Sequence, residues 1–337
     1  MLINSIDITN IRNLKYKSLQ FQQKSFLKGK NGSGKTSVLE SVFFSFTGKS
    51  FRSNRLQDII SDEENYAFIK SEVEDENGFL REIKAGIDKN GTKKLSLDGE
   101  DIHRKEILSI TSTVIHVPDD IELLSGGPSR RRDFLDKMIF IDDRSYINIL
   151  LNYKKYLKHK SELLRHNSLK NLEYLNRGAI SFIETIRNKR KETSEKVEAA
   201  LNSILNSLKI DFSVELHVPV ELNTEAKLAE KLEKEIIKGF CLYGPHLDNI
   251  TIKINTRNSR SVSMGEMCFL SILMKCAEIK IHAENKIYPV FLIDDIFAFI
   301  DEERKNILIN ILKELKNQVI ITSSLDVKPD EFYIIEI

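Results

Sequence analysis

Gly29-Lys30-Asn31-Gly32-Ser33-Gly34-Lys35-Thr36, GKNGSGKT, satisfies G-x-x-x-x-G-K-[ST] in full. Its flanks matter as much as the match. The preceding SLQFQQKSFLKG is strand-like, and the following TSVLESVFFSF is an amphipathic helical stretch that stops at Gly48, as at a C-terminal cap. In a strand, loop and helix of this order the glycines let backbone N–H groups turn inward around phosphate oxygens. The helix N-terminus adds its partial positive charge. Lys35 then reaches the β- and γ-phosphates of ATP, and Thr36 ligates Mg²⁺.

Such a loop requires a carboxylate partner, and Val290 to Asp295, VFLIDD, supplies one. Four apolar residues form a buried strand that delivers Asp294 to the Mg²⁺ shell, while Asp295 stands where a second carboxylate can polarise the attacking water. Upstream, Ser263-Met264-Gly265-Glu266 opens a long apolar helix leading to Val290. This is the place of the signature loop of an ABC-type ATPase, which caps the γ-phosphate held by an opposing protomer. A second stretch, Leu124 to Gly127, spells Leu-Ser-Gly-Gly but lies far upstream of Asp294. It leads through Pro128 and Ser129 into a helix rich in arginine, so the likeness to a signature loop is one of letters only.

The 337 residues suffice for two domains or for one large domain with an insertion. A composition 41% apolar and 30% charged is that of a soluble globular chain, and no run approaches the ~18 apolar residues of a membrane helix. The expected location is the cytoplasm, at the nucleoid, with no membrane contact. Cys241, Cys268 and Cys276 lack a Cys-x-x-Cys pair, which argues for buried thiols over a disulfide framework or zinc site. The net charge is only +1, so attraction to nucleic acid has to arise from local clusters. Residues 153–196 form one, with twelve Lys/Arg against five Glu, although a solvated helical face explains such a run equally well.

Along the chain, YAFIKSEVE, FLREIKAGID and KKLSLDG are separated by Asn-Gly pairs, the signal of an antiparallel sheet. Residues 128–209 are mostly helical, with Leu150, Leu157 and Leu164 at heptad spacing. Continuous apolar strands return near the C-terminus, which indicates a buried, largely parallel sheet. The expected architecture is α/β, an ABC/SMC-type ATPase head of mixed sheet. Residues 1–125 and 210–337 form the ATPase lobe, with an antiparallel part at about 66–117, and 126–209 form a helical insertion.

Beyond the ATPase motifs, TGKSFRSNR (47–55), GGPSRRRDFLD (126–136), YGPHLDNI (243–250), IDDIFAFID and QVIITSS carry a resemblance that runs nearly end to end. The chain resembles the RecF family of bacterial recombination mediators, relatives of the heads of SMC proteins. In that likeness Asp301 falls at the D-loop, and Thr322 with Ser323 falls at the switch strand. There are departures: Leu247 stands for the usual Arg, Glu266 for the usual Gln, and Ala-Phe-Ile-Asp for Ser-Glu-Leu-Asp. The Leu247 change removes a planar cation from that loop.

The resemblance implies a weak, DNA-stimulated ATPase that binds double-stranded DNA and forms an ATP-dependent homodimer. It further implies partners RecR and RecO and a part in loading the recombinase at gaps. Lys49, Arg52, Arg55, Arg130, Arg131 and Arg132 are the DNA-contact candidates, meeting phosphates without reading bases. Internal ion pairs with Asp133 and Asp136 are the competing explanation for the arginine triplet. Three rival readings stay open. A P-loop small-molecule kinase explains the phosphate loop but not SVSMGE. A transporter ATPase subunit would carry a histidine after QVIITSS. An SMC-like structural clamp would bind without appreciable hydrolysis.

Overall fold

A computed structural model describes residues 1–75, 77–166, 169–220, 223–256, 261–297, 299–323 and 329–337. The chain divides into two units, Met1–Asp120 with Ser263–Ile337, and Ile121–Val262. The positions directly after QVIITS, where a transporter's histidine would be sought, lie outside the described residues.

Among its described residues the first unit contains two sheets. Strands β1 (Leu2–Ile11), β2 (Leu14–Gln20), β4 (Tyr66–Glu74), β5 (Leu80–Asp88), β6 (Lys93–Leu97) and β7 (Glu100–Asp101) form one, in the order β2-β1-β4-β5-β6-β7. All of its pairings are antiparallel. The Asn-Gly turns behave as their chemistry demands, with Gly78 at φ 81° and Gly91 at φ 84°. The second sheet consists of β3 (Lys24–Lys28), β8 (Thr113–His116), β11 (Val290–Ile293), β12 (Val319–Ser323) and β13 (Tyr333–Glu336), in the order β13-β3-β12-β11-β8 and parallel throughout. β11 and β12 are buried along their whole length, as a sheet covered on both faces requires. Helix α1 (Lys35–Thr47) packs its apolar residues Val38, Leu39 and Val42 into one core with Ile6, Ile8 and Ile69 of the antiparallel sheet and Leu292 and Ile320 of the parallel one. Gly48 ends it at φ 62°. Helices α2 (Arg104–Ile110), α8 (Met264–Glu284) and α9 (Glu302–Glu314) also belong to the unit.

Two sequence expectations are corrected here. The antiparallel part does not span 66–117: it starts at Leu2, and β8 leaves it to pair in parallel with β11. Alternation and turn residues identify a strand, but not which sheet it joins.

In the second unit, α3 (Glu122–Ser125), α4 (Pro128–Asp142), α5 (Tyr146–Arg165) and α6 (Leu172–Ser207) are followed by β9 (Phe212–His217), α7 (Thr224–Lys238) and β10 (Thr251–Thr256). Residues 210–262 therefore belong with the helices and not, as expected, with the ATPase lobe. Side chains of α6 make the attachment. Asn202 exchanges hydrogen bonds with the Val214 backbone in both directions, and Glu198 accepts from the Leu216 N–H. α7 is held by a fully buried ion pair, Lys160 of α5 to Glu235 at 2.7 Å.

Candidate nucleotide site

β3 and α1 present the loop between them as the sequence requires. Gly32 (φ 81°) and Gly34 (φ 109°) are left-handed, a region closed to most side chains. At Gly34 a Cβ would also lie 2.5 Å from Leu14 Cδ2, and at Gly29 it would lie 2.6 Å from Ser33 Oγ. Lys35 folds back into the loop, donating to the carbonyl oxygens of Gly29 (2.7 Å) and Lys30 (2.9 Å). Burial pulls its ammonium below the ordinary lysine range, against the opposing pull of the Asp295 and Asp294 carboxylates. Ser33 Oγ is buried and finds no hydrogen-bond partner among the described residues. A cradle of glycine backbone, an inward ammonium and an orphaned hydroxyl is the donor set that phosphate oxygens satisfy.

The strand order builds the other half. β12 lies between β3 and β11, so its carboxyl end sits between the start of α1 and the end of β11. Thr36 Oγ1 donates to Asp294 Oδ1 at 3.0 Å, and Thr322 Oγ1 donates to the same oxygen at 2.7 Å. Thr322 also accepts from the Asp295 N–H at 2.8 Å. Burial raises the Asp294 carboxyl above its ordinary range, with the two threonine hydroxyls pulling the other way. Asp295 follows at φ 48°, a left-handed turn that ends the strand. Ser323 is buried beside Thr322.

Asn13, Arg12 and Glu40 were not anticipated from the sequence. The turn between β1 and β2 reaches the loop through Asn13, which donates to the Gly32 carbonyl (2.8 Å) and accepts from Ser37 Oγ (3.0 Å). Arg12 (φ 52°) grips Glu40 of α1 through Nε and Nη2, both at 2.9 Å. Ser50 donates to the same carboxylate, and Arg52 lies 3.6 Å from it. The only available signal was the polar Arg12-Asn13 pair directly after an apolar strand.

Ser263, exposed, caps α8 in a reciprocal box: the Glu266 N–H donates to Ser263 Oγ (3.3 Å), and the Ser263 N–H donates to Glu266 Oε2 (2.9 Å). Met264 is exposed, and Gly265 is so close to the Asp301 loop that a Cβ would meet the Phe299 carbonyl oxygen at 2.6 Å. Asp301 caps α9 by accepting from the Arg304 N–H.

The basic candidates fare differently. Lys49, Arg52 and Arg55 are exposed around the turn after α1, with Arg55 3.8 Å from Asp58. In the second unit Arg130 is exposed and 2.9 Å from Glu122. Arg131 has to be withdrawn as a DNA contact. It is buried and donates to the carbonyl oxygens of Leu123, Leu124, Gly126 and Ile250, so its guanidinium closes the turn before α4. Arg132 is half-buried and donates to the Asp248 carbonyl at 2.8 Å. Asp136 instead pairs with Arg190 (2.8 Å), and Asp248 with Arg187 (2.6 Å). The segments 126–136 and 243–250 thus meet in one ion-pair network on α6. Leu247, which stands in the same segment, is 50% exposed.

Residues 2–328 match the RecF/RecN/SMC N-terminal domain family. The DNA replication and repair protein RecF of Clostridioides difficile is 30% identical, with 96% of this chain and 92% of that protein covered. RecF of Caldanaerobacter subterraneus subsp. tengcongensis is 29% identical over 98% and 96% of the respective chains. The structure of a recombination mediator protein RecF with ATP, from the RecFOR pathway, superposes at a TM-score of 0.85, with 28% identity and 99% and 95% coverage. An SMC head bound to the C-winged helix domain of ScpA, at 19% identity and a TM-score of 0.65, covers 100% of this chain and 94% of its own and shares the fold.

Proposed function

The chain belongs to the RecF family of DNA replication and repair proteins, an ABC/SMC-type ATPase fold, and from this premise we propose that it is an ATP-driven recombination mediator that dimerises on double-stranded DNA. The observation that carries the reading is the convergence of Thr36 and Thr322 on Asp294 beside the inward ammonium of Lys35. Residues Gly29 to Thr36 would hold ATP, and Thr36 with Asp294 would hold Mg²⁺. Bound there, ATP and its metal supply a phosphoanhydride whose cleavage can end the complex. Asp295 orients water and accepts its proton. Its side chain is one methylene shorter than glutamate, which fits slow turnover.

Ser263, Met264, Gly265 and Glu266 act in trans with Asp301, meeting the nucleotide of a second copy, so that nucleotide binding favours the dimer. Lys49, Arg52, Arg55, Arg130 and Arg132, without Arg131, meet the DNA phosphates, independent of base sequence. DNA stimulates the slow hydrolysis that releases the dimer. RecR and RecO are the partners through which the recombinase is loaded at gaps or stalled forks, at the nucleoid.

The test is molecular mass in solution with and without ATP for wild type, Lys35→Met and Ser263→Arg, each with and without duplex DNA. The expected result is a dimer only for wild type with ATP, while Ser263→Arg binds nucleotide as a monomer. A wild-type mass unchanged by ATP refutes the reading.

A further inference from the structure

Glu266 is a carboxylate with a side chain only 4% exposed at the mouth of α8, and among the described residues groups from two elements bond its oxygens. Oε2 accepts from the Ser263 N–H and from the Ser263 hydroxyl, both at 2.9 Å. Oε1 accepts from Arg304 Nη2 at 3.1 Å. The other end of the same guanidinium, Nη1, donates to the Asp301 carboxylate, whose second oxygen accepts the Arg304 N–H at 2.9 Å. The guanidinium also lies 5.9 Å from the centroid of the Phe269 ring, one turn further along α8. Backbone closeness at Gly265 and Phe299 leaves no room for a side chain between the two segments.

A buried carboxylate needs a cation, and a lysine would meet that electrostatic need. What a lysine cannot do is hold carboxylates of two different elements at the two ends of a rigid planar fork. We propose that Arg304 is a positioning residue of the composite site: through Glu266 and Asp301 it sets the signature turn and the Asp301 loop in register, so that both meet a second copy's nucleotide as one element. The proposal rests on the reading that Ser263 acts in trans.

The experiment titrates ATP against the dimer fraction of the full chain, by sedimentation, for wild type, Arg304→Gln, Arg304→Lys and Ser263→Arg. Binding of a fluorescent ATP analogue to the monomer is measured in parallel, with KM and kcat. Both Arg304 variants bind the analogue as wild type does. Their ATP concentration for half-dimerisation and their KM rise about tenfold, within the range of coupling between linked sites, while kcat at saturation holds. Arg304→Lys keeps a cation beside Glu266 and folds even if Arg304→Gln does not, yet it shows the same shift. A structural role alone would be rescued by lysine. If both Arg304 variants dimerise at the wild-type ATP concentration while Ser263→Arg stays monomeric, the trans reading stands and the role of Arg304 is overturned. If Ser263→Arg dimerises like wild type, both fall.

Discussion

Replacing Glu40 by Gln perturbs the junction between the phosphate-loop helix and the basic turn after it. The Glu40 side chain is 1% exposed and accepts two parallel hydrogen bonds from Arg12, at 2.9 Å each, and one from Ser50, with Arg52 3.6 Å away. An amide in its place offers one acceptor oxygen and turns an NH₂ group toward donors. Removing one partner of a buried ion pair costs about 3–5 kcal/mol. The Arg12 side chain is 23% exposed and can recruit water, which places the cost near the lower end, ~3 kcal/mol. For a unit of roughly 150–250 residues each kcal/mol moves Tm by about 2–4 °C, so the expected fall is about 6–12 °C in the first unit's transition. Arg12 bonds also to the Asp58 carbonyl, and its backbone N–H to that of Ile59. Loosening Glu40 therefore frees the turn that carries Lys49, Arg52 and Arg55. The assay is urea and thermal unfolding of Glu40→Gln, Arg12→Met and the double variant. The double variant should cost at least about 1 kcal/mol less than the sum of the singles, as for groups that touch directly. Additivity within about 0.5 kcal/mol, or a Tm fall below about 2 °C, refutes the account.

Lys160→Met strands the fully buried Glu235 and costs about 3–5 kcal/mol, whereas Lys160→Met with Glu235→Met lies closer to wild type; urea midpoints decide between them. Arg131→Ala lowers the stability of the second unit but leaves the salt slope of DNA binding unchanged, while Arg52→Glu with Arg55→Glu reduces that slope by about 1 for each phosphate no longer neutralised, measured as log Kd against log salt. Burial holds the His116 imidazole down to about 4, with Nε2 2.9 Å from Ser271 Oγ. Because the folded value lies below the unfolded one, near 6.5, the unfolded chain takes up protons first. Stability is complete above about pH 6.5 and declines as pH falls toward 4. Between pH 7 and 5 the loss is about 2 kcal/mol, and His116→Gln should flatten the urea-unfolding profile by that amount.

The sequence by itself determined the parts whose cause is local. Glycines before Lys35 require left-handed backbone, Asn-Gly pairs close the hairpins, and Ser263 with Glu266 forms a cap across three residues. Asp294 could be named because a run of four apolar residues has only one polar end. What depends on chain separation was decided by tertiary structure. Thr36 meets Asp294 across 258 positions because β12 lies between β3 and β11, and no periodicity encodes strand order. Arg130 and Arg131 are the same letter, yet one is exposed and the other is locked on four carbonyl groups. Glu235 looks like surface on its helix until Lys160 is found beside it, which moves the boundary between the units. Hydropathy patterns report how much apolar surface an element buries; partners for buried charge are chosen only when the elements pack, and that choice made Glu40 and Arg304 visible.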